Sequence, residues 1–195
     1  MYDVSHDAYC YRGTNVLKNK AGLRRQDDLD RFEAVMTAQR FEEPVPSGRF
    51  DVRHYRALHR HIFQDVYPWA GRLRTVRISK GESAFCYPEH IPGELKRLFA
   101  GLKRDKGLRG LTADAFAHGA AAFLATLNAI HAFRDGNGRA QTAFLLMLAY
   151  KAGHPLDMGQ FRPDSFREAM VASFYGREDA LCADIFRLVT RDGDA

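Results

Sequence analysis

The sequence predicts a mainly α fold, a compact helical bundle carrying one short β-hairpin. Three observations carry that expectation. Apolar residues recur at steps of three and four through most of the chain. A single stretch, Arg72–Ser79, instead alternates and holds β-branched residues. Proline and glycine fall at the junctions between these runs. At 195 residues, 46% hydrophobic and 27% charged, the chain can bury one core and shows no compositional mark of disorder. With no repeat or linker dividing it, residues 1–195 read as a single domain.

Taken in order, Leu29, Phe32 and Met36 predict a helix near 26–40, and Val52, Tyr55, Leu58, Ile62 and Val66 predict a clearer one near 51–66. Pro44 and Pro46 with Ser47 and Gly48 mark the loop between them. Arg72–Ser79 and Ala84–Tyr87 would be the hairpin strands, turned by Lys80–Ser83; were the hairpin only a cover over the core, Arg74, Arg77 and Lys80 would be its solvated side. Ile91, Leu95, Leu98 and Leu102 predict a helix that stops by Gly107. Phe116, Ala120, Phe123, Leu127 and Ile130 predict a buried helix, and Phe144, Leu145, Met147 and Leu148 another. Gly153-His-Pro155 stops the latter. Ser165 with Glu168 reads as a capping box opening a helix through Ala172, and Ala180–Val189 as the last helix.

Between the two buried helices lies His131-Ala-Phe-Arg-Asp-Gly-Asn-Gly-Arg139, a base, an acid, glycines and an arginine within nine residues. Gly136 and Gly138 let the chain turn and bring its amides close to a ligand. A helix starting around Asn137 to Arg139 would aim its free N–H groups and positive dipole end at the loop, a concave anion site. Arg139 adds a fork of donors suited to phosphate oxygens, and Asn137 a neutral donor for a non-bridging oxygen. Asp135 offers an acceptor for Mg²⁺, which binds through one or two carboxylates plus substrate phosphates. An unperturbed histidine has its pKa near neutrality, so a residue of this type at 131, His131, can take a proton from a hydroxyl. A calcium loop starting at Asp135 is excluded, because its sixth position would be Ala140 and its twelfth Leu146.

The nonapeptide resembles the Fic family signature, H-x-F-x-[D/E]-G-N-G-R-x-x-R. His131, Phe133, Asp135, Gly136, Asn137, Gly138 and Arg139 match; Thr142 stands where the family usually has a second arginine, and Ala132 where proline is common. Gly13–Lys20, Ile62–Gly71 and Ser173–Gly176 also look like Fic-domain sequence. The resemblance implies a Fic fold and transfer of AMP from ATP to a hydroxyl on a target protein. His131 would be the general base and Asp135 the Mg²⁺ ligand. Gly136, Asn137, Gly138 and Arg139 would cradle the phosphates, and Phe133 would anchor the loop. The hairpin would be the target-docking flap, with Arg77, Ile78, Ser79, Lys80 and Gly81 at its edge, where a target adds a strand.

Thr142 leaves three outcomes open: slower AMP transfer, a different nucleotide donor, or escape from glutamate-based inhibition. It also keeps alive a degenerate domain that binds nucleotide or protein without turnover, or a relative that transfers another phosphate-containing group. No Glu in the chain is followed by Gly or Asn, so the family's inhibitory [S/T]-x-x-x-E-[G/N] pattern is missing. That implies the toxin-type class, paired with a small antitoxin that carries the inhibitory helix, with a DNA topoisomerase subunit as the kind of target its relatives modify.

Charge and composition set the remaining expectations. The net charge of +5 admits nucleic acid, but the basic residues are dispersed and no recognition motif accompanies them, so direct nucleic-acid binding is disfavoured. No apolar run approaches the ~18 residues of a membrane span, and Met1–Asp7 lacks a basic-then-apolar segment, which predicts a cytoplasmic protein. Cys10, Cys86 and Cys182 have no pairing or zinc spacing and are expected to be reduced and structural.

Overall fold

The computed structural model describes residues 7–80 and 83–190. It is helical nearly throughout, with one two-stranded hairpin among the described residues. Two compact units emerge from the backbone contacts. One comprises the chain up to Pro92 together with His131–Ala140, the other Gly93–Ile130 and the chain from Gln141 onward.

The first unit contains α1 (Gln26–Glu42) and α2 (Val52–Phe63), which pack on each other. Helix α1 has no side-chain N-cap; Asp27 and Asp28 in its first turn complement the dipole instead. It buries Leu29 and Thr37, while Phe32 and Met36 stay half-buried. Asp51 caps α2 by accepting from the His54 N–H at 2.8 Å. Tyr55, Leu58, His59, Ile62 and Phe63 form its buried stripe. The helix ends at Phe63, short of the expected Val66. Pro68 disfavours helical backbone at Tyr67, and the chain turns there with Tyr67 stacked on Trp69 at 4.4 Å.

The hairpin is shorter than expected. Only β1 (Ser79–Lys80) and β2 (Ser83–Ala84) pair, antiparallel, with Ser79 opposite Ala84. Residues 72–78 are not strand, because their backbone bonds elsewhere: the Arg74 N–H donates to the Ala132 carbonyl at 3.0 Å. Arg74 is not on a solvated side either, being 2% exposed. Gly81, expected at the flap tip, lies outside the described residues, as does Glu82.

The second unit is built on α4 (Ala113–Ile130), which packs against α6 (Pro163–Phe174) and α7 (Asp179–Leu188). Phe99 of α3 (Ile91–Arg104) meets Phe123 of α4 and Phe144 of α5 (Asn137–Ala152) edge-on, each at 5.4 Å. Phe99 thus takes the buried position that the periodicity assigned to Leu98, which is half-buried. Helix α5 stops as expected at Gly153 (φ 90°), whose neighbour His154 donates its N–H back to the Ala149 carbonyl at 2.9 Å. The expected capping box is absent. Helix α6 starts at Pro163, whose fixed φ suits the first helical position, and the Ser165 hydroxyl bonds Asp184 of α7 at 2.9 Å.

Candidate active site

The segment His131–Gly136 and the first turn of α5 belong to the first unit, and several of its residues are held by identifiable partners. Asn137 closes the loop on itself: its Oδ1 accepts from the Phe133 N–H at 2.9 Å and its Nδ2 donates to the Phe133 carbonyl at 2.8 Å. From sequence this amide is expected to donate to a non-bridging phosphate oxygen; at 1% exposure it is instead turned into the loop, its Oδ1 and Nδ2 both taken by the Phe133 backbone. What Asn137 presents is its backbone N–H, which with those of Gly138 and Arg139 has no acceptor within the helix.

Phe133 is fully buried, as an anchor should be, between Tyr55 and His59; its ring stacks on the His59 imidazole at 3.8 Å. His59 was not singled out in the sequence, and it grips the loop from behind. Its Nδ1 accepts from the Gly71 N–H at 2.9 Å, so the proton resides on Nε2, which donates to the Asp135 carbonyl at 2.9 Å. Burial lowers its pKa to about 3; the Asp135 hydrogen bond resists this and the Arg139 charge adds to it. The signal was faint: a histidine between Leu58 and Ile62 on an apolar helix face.

The two glycines have different reasons to be glycine. Gly136 has φ 75°, and a Cβ there would lie 2.3 Å from the Phe63 ring. A Cβ on Gly138 would meet nothing of this chain within 4 Å. The space over Gly138, at the helix N-terminus, is therefore open.

Flanking Gly138 in the chain are Asp135 and Arg139, and an unforeseen pair, Glu33 and Tyr67, holds Arg139. Arg139 lies over the Phe63 ring at 4.5 Å and donates through Nη2 to Glu33 Oε1 at 2.6 Å. The Tyr67 hydroxyl donates to the other Glu33 oxygen. Burial and the Glu33 charge push the Tyr67 pKa up. Asp135 is half-buried and accepts from the Gly136 N–H at 2.6 Å. Burial raises its pKa above the ordinary carboxylate range, the Gly136 bond opposes that, and Glu33 adds to it.

His131 is 7% exposed, with φ 47°. Its imidazole stacks on Phe85, the residue after β2, at 3.8 Å. Arg134 ties the loop to the N-terminal segment through a buried ion pair with Asp7, 2.5 Å from Nη2. Of the expected flap residues, Arg77 is exposed and lies over the Tyr87 ring at 4.0 Å, Ile78 is buried and Ser79 half-buried. Lys80 pairs with Ser83 through its backbone. Thr142, half-buried, lies one turn beyond Arg139 on α5.

A helix N-terminus with open space before it, an arginine, a carboxylate and an imidazole nearby define a phosphate-handling helical domain. Residues 49–150 match the Fic/DOC family. The chain belongs to that family, as the resemblance implied. It is 50% identical over 189 residues to a Sinorhizobium fredii protein named "Probable protein adenylyltransferase y4lH", an alignment that spans 96% of this chain and 98% of that one. It is also 35% identical to the protein adenylyltransferase VbhT of Bartonella schoenbuchensis, over 97% of this chain and 40% of VbhT. Among solved structures, the BepC protein of Bartonella tribocorum with bound AMPPNP superposes with a TM-score of 0.84 at 27% identity, covering 94% of this chain and 97% of BepC.

Proposed function

We propose that this chain is a protein adenylyltransferase, transferring AMP from ATP to a hydroxyl side chain of a target protein. The observation that carries the reading is the first turn of α5. At Gly138 this turn, which also carries Arg139, borders space where an added Cβ would meet nothing within 4 Å, within a chain half identical to a relative named for this activity.

In this mechanism the N–H groups of Asn137, Gly138 and Arg139, with the Arg139 guanidinium, receive the phosphate oxygens and meet the charge that develops at the α-phosphorus. The target hydroxyl gives its proton to the His131 imidazole as its oxygen attacks; the new O–P bond forms while the bond to pyrophosphate breaks, and pyrophosphate leaves. Phe133 and the Asn137 side chain keep the loop in the shape that presents these groups. The Asp135 carboxylate, a hard oxygen donor, suits a hard cation and would hold Mg²⁺ together with the phosphates. When bound, the ion supplies neutralisation of the phosphate charge. The flap, with Arg77, Ile78, Ser79, Lys80 and Gly81, would seat the target's backbone.

The reading extends to a cytoplasmic toxin held in check by a separate antitoxin helix, with a DNA topoisomerase subunit as target class. Its support is the missing inhibitory pattern in the sequence; no described helix is long and apolar enough to cross a membrane. Thr142 favours a second reading, nucleotide binding without turnover, because a hydroxyl cannot replace a guanidinium fork on a phosphate.

Incubating the protein and a cell lysate with Mg²⁺ and ATP labelled at the α- or the γ-phosphate divides these readings. Transfer of α-label that falls on the order of 10²–10⁴-fold in His131→Ala supports adenylylation with His131 as base. Transfer of γ-label, or undiminished α-label transfer by His131→Ala, overturns that mechanism, and no transfer supports the binding module.

A further inference from the structure

We propose that Phe85 and Arg74 are positioning residues for the His131 imidazole, joining the hairpin and the residue carrying the base into one mechanical body. The inference rests on reading His131 as the base, and its test separates the two. His131 is left-handed at φ 47°, a conformation that strains any residue carrying a Cβ. Such a backbone persists where its neighbours over-determine it.

Arg74 is one such neighbour. Its Nε donates to the His131 carbonyl at 2.7 Å, Nη1 to the Val76 carbonyl at 2.7 Å and Nη2 to the Cys86 carbonyl at 2.5 Å. Val76 and Cys86 lie on the limbs entering and leaving the hairpin, so one planar fork fixes both limbs against the backbone of His131. The Arg74 N–H adds a bond to the next carbonyl, that of Ala132.

Phe85 is the other neighbour. It is tied to the hairpin by its N–H, which donates to the Ile78 carbonyl at 3.3 Å, and Ile78 is buried. Its ring lies on the imidazole at 3.8 Å with only 20° between the planes. An apolar cover would need volume alone; a parallel face at this distance also fixes the plane of the imidazole, and so the direction of its nitrogens. A misplacement of about 1 Å at a reacting group can cost about 10²-fold in rate. The sequence sets Phe85 and His131 apart in the chain, and neither periodicity nor motif connects them.

The test compares Phe85→Leu, which keeps apolar volume without a face, with Phe85→Tyr, which restores the face. In the full chain, NMR reads the His131 imidazole protons, which stacking shifts upfield. Turnover is read with α-labelled ATP, Mg²⁺ and lysate proteins as acceptors, nucleotide affinity with a fluorescent methylanthraniloyl-ATP, and folding by thermal melting. Phe85→Leu is expected to lose the upfield shift and about 10²-fold in kcat, with nucleotide Kd and Tm little changed; Phe85→Tyr is expected to recover both. Unmoved His131 resonances in Phe85→Leu, or Phe85→Tyr behaving like Phe85→Leu, would overturn the proposal. Arg74→Lys, which keeps the charge and loses the fork, should move the same resonances; unmoved, they would remove Arg74 from it. Should His131→Ala still transfer α-label, the base reading fails while the resonances continue to report on positioning.

Discussion

Acidification is expected to loosen this fold through His59. The ring is fully buried, stacked on Phe133, and bonded through both nitrogens to Gly71 and Asp135. Burial, above all, brings its pKa down to about 3. In an unfolded chain a histidine titrates near 6.5. Between those values the unfolded chain binds a proton that the folded one refuses, so stability falls as the pH falls below about 6.5. At pH 5.0 the loss from this one group is about 2 kcal/mol, at 1.36 kcal/mol per unit over roughly 1.5 units. His59→Gln keeps a donor and an acceptor and does not titrate. Urea unfolding followed by circular dichroism at pH 7.5 and 5.0 gives the stability of each protein. Other titrating groups contribute equally to both, so the variant should lose about 2 kcal/mol less than the wild type over this interval. An equal loss in the two proteins would refute the claim that His59 is held neutral behind the loop.

The glycines separate folding from binding. Gly136→Ala meets the Phe63 ring and a positive φ, and should cost roughly 1–3 kcal/mol from overpacking and about 1–2 kcal/mol from backbone strain, read as a lower urea midpoint. Gly138→Ala meets nothing of the chain, so its urea midpoint should hold while nucleotide affinity, read by calorimetry, falls. Asp135→Asn should raise the melting temperature at neutral pH while abolishing transfer: burial raises the Asp135 pKa, so its charge opposes folding increasingly as pH rises above the unfolded value near 3.9. A lower melting temperature would contradict that sign. Thr142→Arg should tighten ATP binding by about 1.5–3 kcal/mol if a charge-assisted bond to the outer phosphate forms; equal affinity would deny that position such a contact.

The helical architecture was legible because burial imposes a period. Tyr55, Leu58 and Ile62, or Phe116, Ala120 and Phe123, can be covered together only on one helix face. The failures fall where a local pattern was outbid by a distant partner. Arg74 sits in an alternating stretch that reads as strand, yet its amide and guanidinium bond to the motif loop and the hairpin limbs. Ser165 and Glu168 have capping-box spacing, but Pro163 had already started the helix and Asp184 took the hydroxyl. Leu98 and Phe99 are adjacent and both apolar, so periodicity could not choose between them until Phe123 and Phe144 stood beside Phe99.

By itself the sequence determined the class of protein and the residue types gathered in its motif loop, because a run of glycines, an acid, an imidazole and an arginine is contiguous and its meaning is local. Tertiary structure alone decided which of those groups border open space and which hold the loop. Asn137 turned inward, Gly138 outward, and Glu33, His59, Arg74 and Phe85 arrived from elsewhere in the chain to fix Arg139, Asp135 and His131 in place. The physical reason is that a hydrogen bond or a ring stack depends on separation in space, which folding alone sets, while residue type and spacing specify only what each group is able to do once brought there.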